Sequence, residues 1–180
     1  SAAGAIGIMG AQIAKSHGCK VIGLAGNLKK VQFALNYGLD HVFDYSKLDW
    51  HKEVRSVVAE GVDVIIDGNS GQNSSHNIEL LAPLGRLIYI GATAGEMPKS
   101  IEVPNLIYKS VSVAGINLND IEEPAGSYVD NMITDNIVSG LWRVPITEEV
   151  SLEDIVDLHY RLESRLLTGR AVIKVGGELN

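Results

Sequence analysis

The sequence predicts an α/β fold in which a doubly wound parallel sheet is covered by helices on both faces. Short apolar runs of strand type alternate along the chain with segments whose apolar residues recur at helical spacing. Strands that alternate with helices of about ten to fifteen residues are typical of right-handed crossovers between parallel strands. The composition suits a globular domain, because 46% of the 180 residues are hydrophobic and 21% are charged.

The helices are predicted from apolar residues at helical spacing and from residues that favour helix ends. In the first helix Ile6, Met9 and Ile13 share one face, and Gly18 suits its C-terminal end. Asn27 is placed to cap the second helix. The predicted helices span residues 6–16, 28–37, 48–59, 74–81, 127–140 and 152–166.

The strands are predicted from short runs rich in apolar and β-branched residues. They are assigned to residues 20–24, 41–44, 62–67, 86–90, 111–116 and 171–175, and residues 144–146 are also expected to be extended. Residues 83–85 are predicted to form a turn, as are residues 168–170. Residues 92–105 contain Pro98 and Pro104 and no clear period, so they are predicted to form a long loop.

Small residues at positions 2, 4 and 7 follow the spacing of the G-x-G-x-x-G dinucleotide fingerprint. Ala2 replaces the first glycine, Gly4 lets the backbone approach a pyrophosphate, and Gly7 lets the next helix pack closely on the sheet. That helix would offer free N–H groups and the positive end of its dipole to the anion. The predicted pyrophosphate-binding residues are Ala3, Gly4, Ala5 and Ile6.

The fingerprint requires a hydrophobic strand before the glycine turn, and the sequence begins at Ser1 without one. We therefore expect a Rossmann-type sheet that lacks its first strand in this chain, and a parent polypeptide longer than these 180 residues. Residues 1–140 are predicted to form the dinucleotide-binding domain. Residues 141–180 differ in kind and are predicted to be a separate C-terminal segment.

Segments spread over nearly the whole chain carry a family resemblance. They are residues 2–7, 12–15, 18–22, 38–42, 61–67, 85–91 and 168–175. In residues, order and spacing they resemble the zinc-independent, ζ-crystallin-like quinone oxidoreductases of the medium-chain dehydrogenase/reductase superfamily. The resemblance implies that the C-terminal segment is a tail that returns to a GroES-like catalytic domain built mostly from residues upstream of Ser1.

The same resemblance bears on catalysis and on assembly. Residues that touch the substrate, and any catalytic tyrosine or zinc ligand, would lie mainly in the upstream domain, so no catalytic residue is assigned. The resemblance also implies a homodimer in which edge strands around residues 111–116 pair across a two-fold axis.

The cofactor is predicted from the end of the second Rossmann strand, which corresponds to the strand predicted here at residues 20–24. NAD-binding proteins place a carboxylate there, and it binds the ribose hydroxyls. About twenty residues after the glycine turn the sequence has Ala25 and Gly26, and no carboxylate. A carboxylate would repel a 2′-phosphate, so its absence permits NADPH. Asn27 follows closely, and the resemblance points to Lys30 and Tyr45 as contacts of the 2′-phosphate.

Other candidate cofactor contacts follow the later strands, because ligands of open α/β sheets bind at the carboxyl ends of the strands. Asn69 and Ser70 come after the strand at residues 62–67. Gly91, Ala92 and Thr93 come after the strand at residues 86–90. By resemblance alone, the loop at Asn117 is expected to reach the carboxamide of the nicotinamide.

Charge and composition exclude several classes of partner. A net charge of −7 argues against nucleic acid, and no apolar run approaches the about 18 residues of a membrane span. Cys19 is the only cysteine, which excludes a disulfide framework, and it is predicted to be buried at the entrance to a strand. A cytoplasmic location is expected from this cysteine usage. The histidines lack metal-ligand spacing, so no metal site is predicted.

These observations predict the NADPH-binding part of an oxidoreductase that transfers a hydride from the nicotinamide to a quinone or an α,β-unsaturated carbonyl compound. Two alternatives remain open: an enoyl-reductase domain of a multidomain synthase, and a non-catalytic nucleotide-binding relative of the crystallin type. A zinc-dependent alcohol dehydrogenase is disfavoured because Ala2 replaces the glycine usual in that branch. The metal ligands of such a dehydrogenase would lie upstream of Ser1.

Overall fold

The computed structural model describes residues 2–98, 100–121 and 127–175, in which helices and strands alternate. The helices are α1 (Ala5–Ser16), α2 (Leu28–Leu35), α3 (Trp50–Val57), α4 (Asn77–Leu80), α5 (Val103–Lys109), α6 (Tyr128–Val138) and α7 (Ile155–Glu163). The strands are β1 (Ile22–Ala25), β2 (His41–Asp44), β3 (Val62–Asp67), β4 (Leu81–Tyr89), β5 (Ser112–Gly115), β6 (Ile146–Ser151) and β7 (Arg170–Lys174).

The strands form three sheets with the orders β1-β2, β3-β4-β5 and β6-β7. Pairing is parallel between β3 and β4, between β4 and β5, and between β6 and β7. Removing the first strand from the Rossmann order 3-2-1-4-5-6 leaves the neighbours 3-2 and 4-5-6. The first two sheets have these neighbour relations, so the doubly wound α/β prediction is confirmed, and no described strand precedes the glycine turn.

The chain divides into two compact units. We call the described residues 2–42 and 127–175 the glycine-turn unit, and the described residues 43–98 and 100–121 the three-strand unit. The core of the glycine-turn unit contains Ala2, Ile8, Ala11, Ala25, Ala34, Leu39 and Val42. The core of the three-strand unit is formed by Leu81, Leu87 and Val111.

Side-chain caps begin two of the helices, because they satisfy backbone N–H groups that have no partner within the helix. Asn27 Oδ1 accepts from Lys30 N at 2.9 Å at the start of α2, which confirms the predicted cap. Ser127 Oγ accepts from Asp130 N at 3.1 Å at the start of α6. None of the helices among the described residues is both long enough and apolar enough to cross a membrane.

The predicted turn at residues 83–85 lies inside β4 rather than before it. Val62 pairs with Leu81 and Val64 pairs with Arg86, so the intervening residues of β4 bulge out of the ladder. Leu84 has a φ of 66° there. A bulge of this kind inserts extra residues without ending the strand.

The predicted loop at residues 92–105 is wrong at its C-terminal end, because α5 begins at Val103. Pro104 lies in the first turn of α5. Proline is well tolerated there, since its missing N–H would have no partner within the helix and its φ is already helical. The proline that argued for a loop therefore lies inside a short helix.

Two further predictions differ from the structure. Cys19 was predicted to be buried but is exposed, because it lies in the connection between α1 and β1. Its backbone N–H donates to Ala14 O at 3.0 Å. The helix predicted at residues 74–81 consists of a 3₁₀ turn (Gln72–His76) followed by the single turn α4. Tight 3₁₀ turns of this kind are frequent at helix ends.

Candidate functional site

The glycine turn leads directly into α1 and leaves its first amides without a side-chain cap. Gly4 is the N-cap residue, with φ −87° and ψ 168°, and no described side chain caps it. The first turn of α1 contains no acidic residue. The unpaired amides and the helix dipole make this end of α1 suitable for an anion.

The turn is held against β1 by close contacts. Ala2 N donates to Leu24 O at 2.8 Å, and Ala3 is 1% exposed. A Cβ on Gly23 would lie 2.6 Å from Ala2 Cβ and 2.6 Å from Leu39 Cδ2. Gly23 is therefore needed for the approach of the turn to β1, a role that the sequence pattern did not reveal.

The C-terminal tail contacts the glycine turn within the same unit. Gly169 N donates to Ala3 O at 2.7 Å, and Gly169 has a φ of 62°. A Cβ on Gly169 would lie 2.8 Å from Thr147 Cγ2. The turn predicted at residues 168–170 thus fixes the backbone beside the predicted pyrophosphate-binding residues.

The end of β1 presents positive charge and no carboxylate. Gly26 and Asn27 follow β1, and Asn27 uses its side-chain oxygen to cap α2. Lys30 Nζ donates to Arg165 O at 2.5 Å. Burial lowers the pKa of the Lys30 ammonium, and the neighbouring charge of Arg165 lowers this pKa further. Sequence reasoning identified Lys30 but missed Arg165, because 135 residues separate the two.

Tyr45 lies directly after β2 and is half-buried. Asp44 fixes the backbone on either side of it: its Oδ1 accepts from Ser46 N at 2.9 Å and from Ser46 Oγ at 2.7 Å. Such an Asx turn holds a short loop in one conformation. Tyr45 belongs to the three-strand unit.

In the three-strand unit, the predicted residues after β3 and β4 are brought together by hydrogen bonds. Thr93 Oγ1 donates to Asn69 Oδ1 at 2.9 Å, and Ser70 Oγ donates to Gly91 O at 3.0 Å. Ser70 is only 2% exposed, so its hydroxyl joins the two loops. Ala92 lies between Gly91 and Thr93 and is half-buried.

Asn117 follows β5, the third strand of the same sheet. Its Oδ1 accepts from Asn119 N at 3.2 Å, and its Nδ2 donates to Asp120 Oδ2 at 2.9 Å. Because these strands are parallel, the loops after β3, β4 and β5 lie at the same edge of the sheet. Open α/β sheets bind their ligands at this edge.

Asp67, the last residue of β3, is a residue that sequence reasoning missed. Its Oδ1 accepts from Asn69 N and from Ser70 N, each at 2.8 Å, and its Oδ2 accepts from Asn77 Nδ2 at 2.7 Å. Burial raises the pKa of the Tyr89 phenol, and the charge of Asp67 adds to that rise. A carboxylate at the end of an apolar strand was the signal that could have identified it.

The described residues contain no group of three or more histidine, cysteine, aspartate or glutamate side chains that could hold a metal ion. The glycine-turn unit offers an uncapped helix start and the basic pair of Lys30 and Arg165, and the three-strand unit offers three strand-end loops. Residues 5–133 match the family model described as zinc-binding dehydrogenase. The chain belongs to the zinc-binding dehydrogenase family.

Relatives of this dehydrogenase domain include quinone oxidoreductases. The quinone oxidoreductase of Mus musculus is 27% identical over 161 residues, which cover 88% of this chain and 48% of that protein. The quinone oxidoreductase of Escherichia coli, solved in complex with NADPH, superimposes with a TM-score of 0.85 and is 26% identical. This match covers 96% of this chain and 55% of that one.

A third relative is a multidomain protein. The highly reducing polyketide synthase tazB of Aspergillus terreus is 27% identical over 180 residues, which cover 97% of this chain and 7% of that protein. The resemblance to the quinone oxidoreductases of the medium-chain superfamily is confirmed. The chain spans about half the length of the quinone oxidoreductases it matches.

Proposed function

We propose that this dehydrogenase domain binds NADPH for an oxidoreductase that reduces a quinone or an α,β-unsaturated carbonyl compound. The observation that carries the proposal is the basic pair of Lys30 and Arg165 at a strand end without a carboxylate. The Escherichia coli relative, solved in complex with NADPH, supports the choice of cofactor.

The proposed contacts of the adenosine side include the glycine turn. Backbone amides of the predicted set Ala3, Gly4, Ala5 and Ile6 would hold the pyrophosphate at the start of α1. Gly26 would permit close approach of the ribose. Asn27 and Lys30 would contact the 2′-phosphate, with the Arg165 side chain adding a second positive charge. Tyr45, which the family resemblance indicates, is also proposed as a 2′-phosphate contact.

The proposed contacts of the nicotinamide side come from the strand-end loops of the three-strand unit. The Rossmann order assigns one mononucleotide to each half of the sheet, and β3, β4 and β5 belong to the second half. Asn69 and Thr93 would supply polar side chains, and the backbone of Gly91 and Ala92 would pack against the ring. Asn117 would reach the carboxamide.

NADPH, when bound, supplies the hydride for reduction of the substrate. This chain would contribute orientation, because fixed loops hold the nicotinamide in one position relative to the substrate. Residues 1–140 are proposed as the cofactor-binding domain, and residues 141–180 as a tail of a GroES-like catalytic domain that holds the substrate-contacting residues. We also propose a cytoplasmic homodimer, with no nucleic-acid or membrane partner.

Calorimetric titration of the folded chain with NADPH tests the proposal directly. We expect saturable binding of one NADPH per chain, and weaker binding of NADH. Steady-state reduction of a quinone and of an enone by the full-length protein tests the activity. A folded chain that binds neither nucleotide would refute the cofactor role.

Two alternatives keep NADPH as the cofactor but assign the domain to a different kind of protein. The match to a polyketide synthase over 97% of this chain favours an enoyl-reductase domain of a multidomain synthase as the second candidate. The length and domain content of the full polypeptide distinguish that candidate from a separate reductase. NADPH binding by the full-length protein without turnover of any quinone or enone would instead indicate a non-catalytic, crystallin-type relative.

A further inference from the structure

We propose that Asp67 is a positioning residue for the cofactor: it fixes the loop after β3, and through that loop the one after β4, in the form that receives the nicotinamide half of NADPH. The proposal rests on the proposed binding of NADPH. It assigns no ligand contact to the Asp67 side chain itself.

The first step is the geometry of the Asp67 carboxylate. Its Oδ1 accepts from the amides of Asn69 and Ser70 at 2.8 Å each, and its Oδ2 accepts from Asn77 Nδ2 at 2.7 Å. A carboxylate accepts at both oxygens and donates at neither, so one side chain satisfies two loop amides and a side-chain amide together. Asn77 is 6% exposed, which makes it a fixed partner.

The second step is the strained backbone of the loop. Ser70 has a φ of 55°, and Gly71 next to it has a φ of 74°. A non-glycine residue in the left-handed region is strained and persists only where its surroundings hold it. The hydrogen bond from Ser70 N to Asp67 is one such restraint.

The third step is the connection between the loops. Ser70 Oγ donates to Gly91 O at 3.0 Å, and Thr93 Oγ1 donates to Asn69 Oδ1 at 2.9 Å. Thr93 N donates to Gly68 O at 3.1 Å. A loop after β3 that moves must therefore carry the loop after β4 with it, so losing the Asp67 carboxylate disturbs both sets of proposed nicotinamide contacts.

The test compares two ligands in the variant Asp67→Ala. Because a charge-assisted anchor is lost, we expect the dissociation constant of NADPH to rise about tenfold or more, as followed by nicotinamide fluorescence. The dissociation constant of 2′,5′-ADP, which lacks the nicotinamide half, should stay within about twofold of the wild-type value. Asp67→Asn keeps an oxygen for the two loop amides but turns an NH2 group toward Asn77 Nδ2, so it should recover only part of the NADPH affinity. Asp63→Ala, an exposed aspartate on the same strand, is the matched control.

A second variant and a second measurement keep the proposal falsifiable if Asp67→Ala does not fold. Asn77→Ala removes the partner of Oδ2, and a bond to the Tyr89 phenol, but leaves both loop-amide bonds to Asp67 in place. It should weaken NADPH binding about threefold without weakening the binding of 2′,5′-ADP. Hydrogen exchange at the Asn69 and Ser70 amides of the ligand-free chain should become faster in both Asp67→Ala and Asn77→Ala.

Three results would overturn the positioning role. They are wild-type NADPH affinity in folded Asp67→Ala, wild-type affinity in Asn77→Ala when Asp67→Ala is unfolded, and an equal loss of NADPH and 2′,5′-ADP affinity. If the wild-type chain does not bind NADPH, the proposed function is refuted, and so is the claim that Asp67 positions NADPH. Unchanged exchange at the Asn69 and Ser70 amides in the variants then also refutes the anchoring by Asp67.

Discussion

At the residue scale, the surroundings of Lys30 bear on its proposed contact with the 2′-phosphate. Its ammonium is half-buried, donates to Arg165 O and lies near the guanidinium charge of the same residue, and both burial and that charge lower its pKa. Two neighbouring cations repel each other, and a phosphate placed between them would relieve the repulsion. A ribose hydroxyl in the same place carries no charge and would not relieve this repulsion.

We expect Lys30→Glu to raise the dissociation constant of NADPH about ten- to a hundredfold, because it replaces a charge-assisted donor by a like charge. NADH, which lacks the 2′-phosphate, should change about threefold at most. Isothermal titration of both nucleotides measures the two constants. Lys29→Glu, the exposed neighbour with the same change in net charge, is the control. Equal losses for NADPH and NADH would contradict the assignment.

The lowered pKa of Lys30 predicts a pH dependence of cofactor choice. A lysine loses its charge as the pH rises through its pKa, and this pKa lies below the ordinary value of 10.5. The preference for NADPH over NADH should therefore fall as the pH rises, at a lower pH than an ordinary lysine would give. Lys30→Arg keeps its charge and should show no such fall. The ratio of the two dissociation constants between about pH 7 and 10 provides the measurement.

At the element scale, sequence patterns predicted some strands to the residue and missed most of another, since β6 spans Ile146–Ser151 and only residues 144–146 were expected to be extended. The predicted bounds of β2 and β3 are those of the structure, because each is a short apolar run flanked by turn residues. The start of α5 was missed because Pro104 reads equally as a loop residue and as a first-turn helix residue. Cys19 was placed at the entrance to a strand predicted to begin at residue 20, but β1 begins at Ile22, so Cys19 lies in the connection after α1.

The candidate site was predictable where its residues follow local spacing. Gly4 lies in the glycine turn, and Asn69 and Thr93 follow strand ends, whereas Lys30 was indicated by the family resemblance. Arg165 was not predictable, because the chain returns to Lys30 only through tertiary packing of the tail. Their roles in binding remain predictions that the variants above test.

The close packing around Gly169 in the tail predicts that Gly169 and Gly140 differ in how much stability is lost when alanine replaces them. Gly169 and Gly140 both have positive φ, but a Cβ would be crowded only at Gly169, since nothing lies within 4 Å at Gly140. Gly140→Ala should cost about 1 kcal/mol of unfolding free energy, and Gly169→Ala about 2–4 kcal/mol. Urea denaturation compares the two variants. Similar losses would show that the packing of Gly169 against Thr147 and Phe33 is not tight.

At the scale of the whole molecule, the edge of the three-strand sheet bears on assembly. β5 is the outer strand in the order β3-β4-β5, and among the described residues it has a neighbouring strand on one side only. An exposed edge presents unpaired N–H and C=O groups to a second chain. Ile116 N donates to Tyr89 O at 2.9 Å, so the N–H of the preceding residue, Gly115, points away from β4.

Because the Gly115 N–H points away from β4, removing this single backbone group tests the proposed homodimer. Gly115→Pro removes the outward N–H and keeps the inward bond of Ile116, so we expect it to convert the dimer to a monomer without unfolding the sheet. Gly115→Ala keeps the N–H, and its Cβ would meet nothing within 4 Å, so this control should remain dimeric. Sedimentation velocity measures the mass of each form at several concentrations. A proline variant that stays dimeric would assign the interface to another surface, and a monomeric wild type would refute the homodimer.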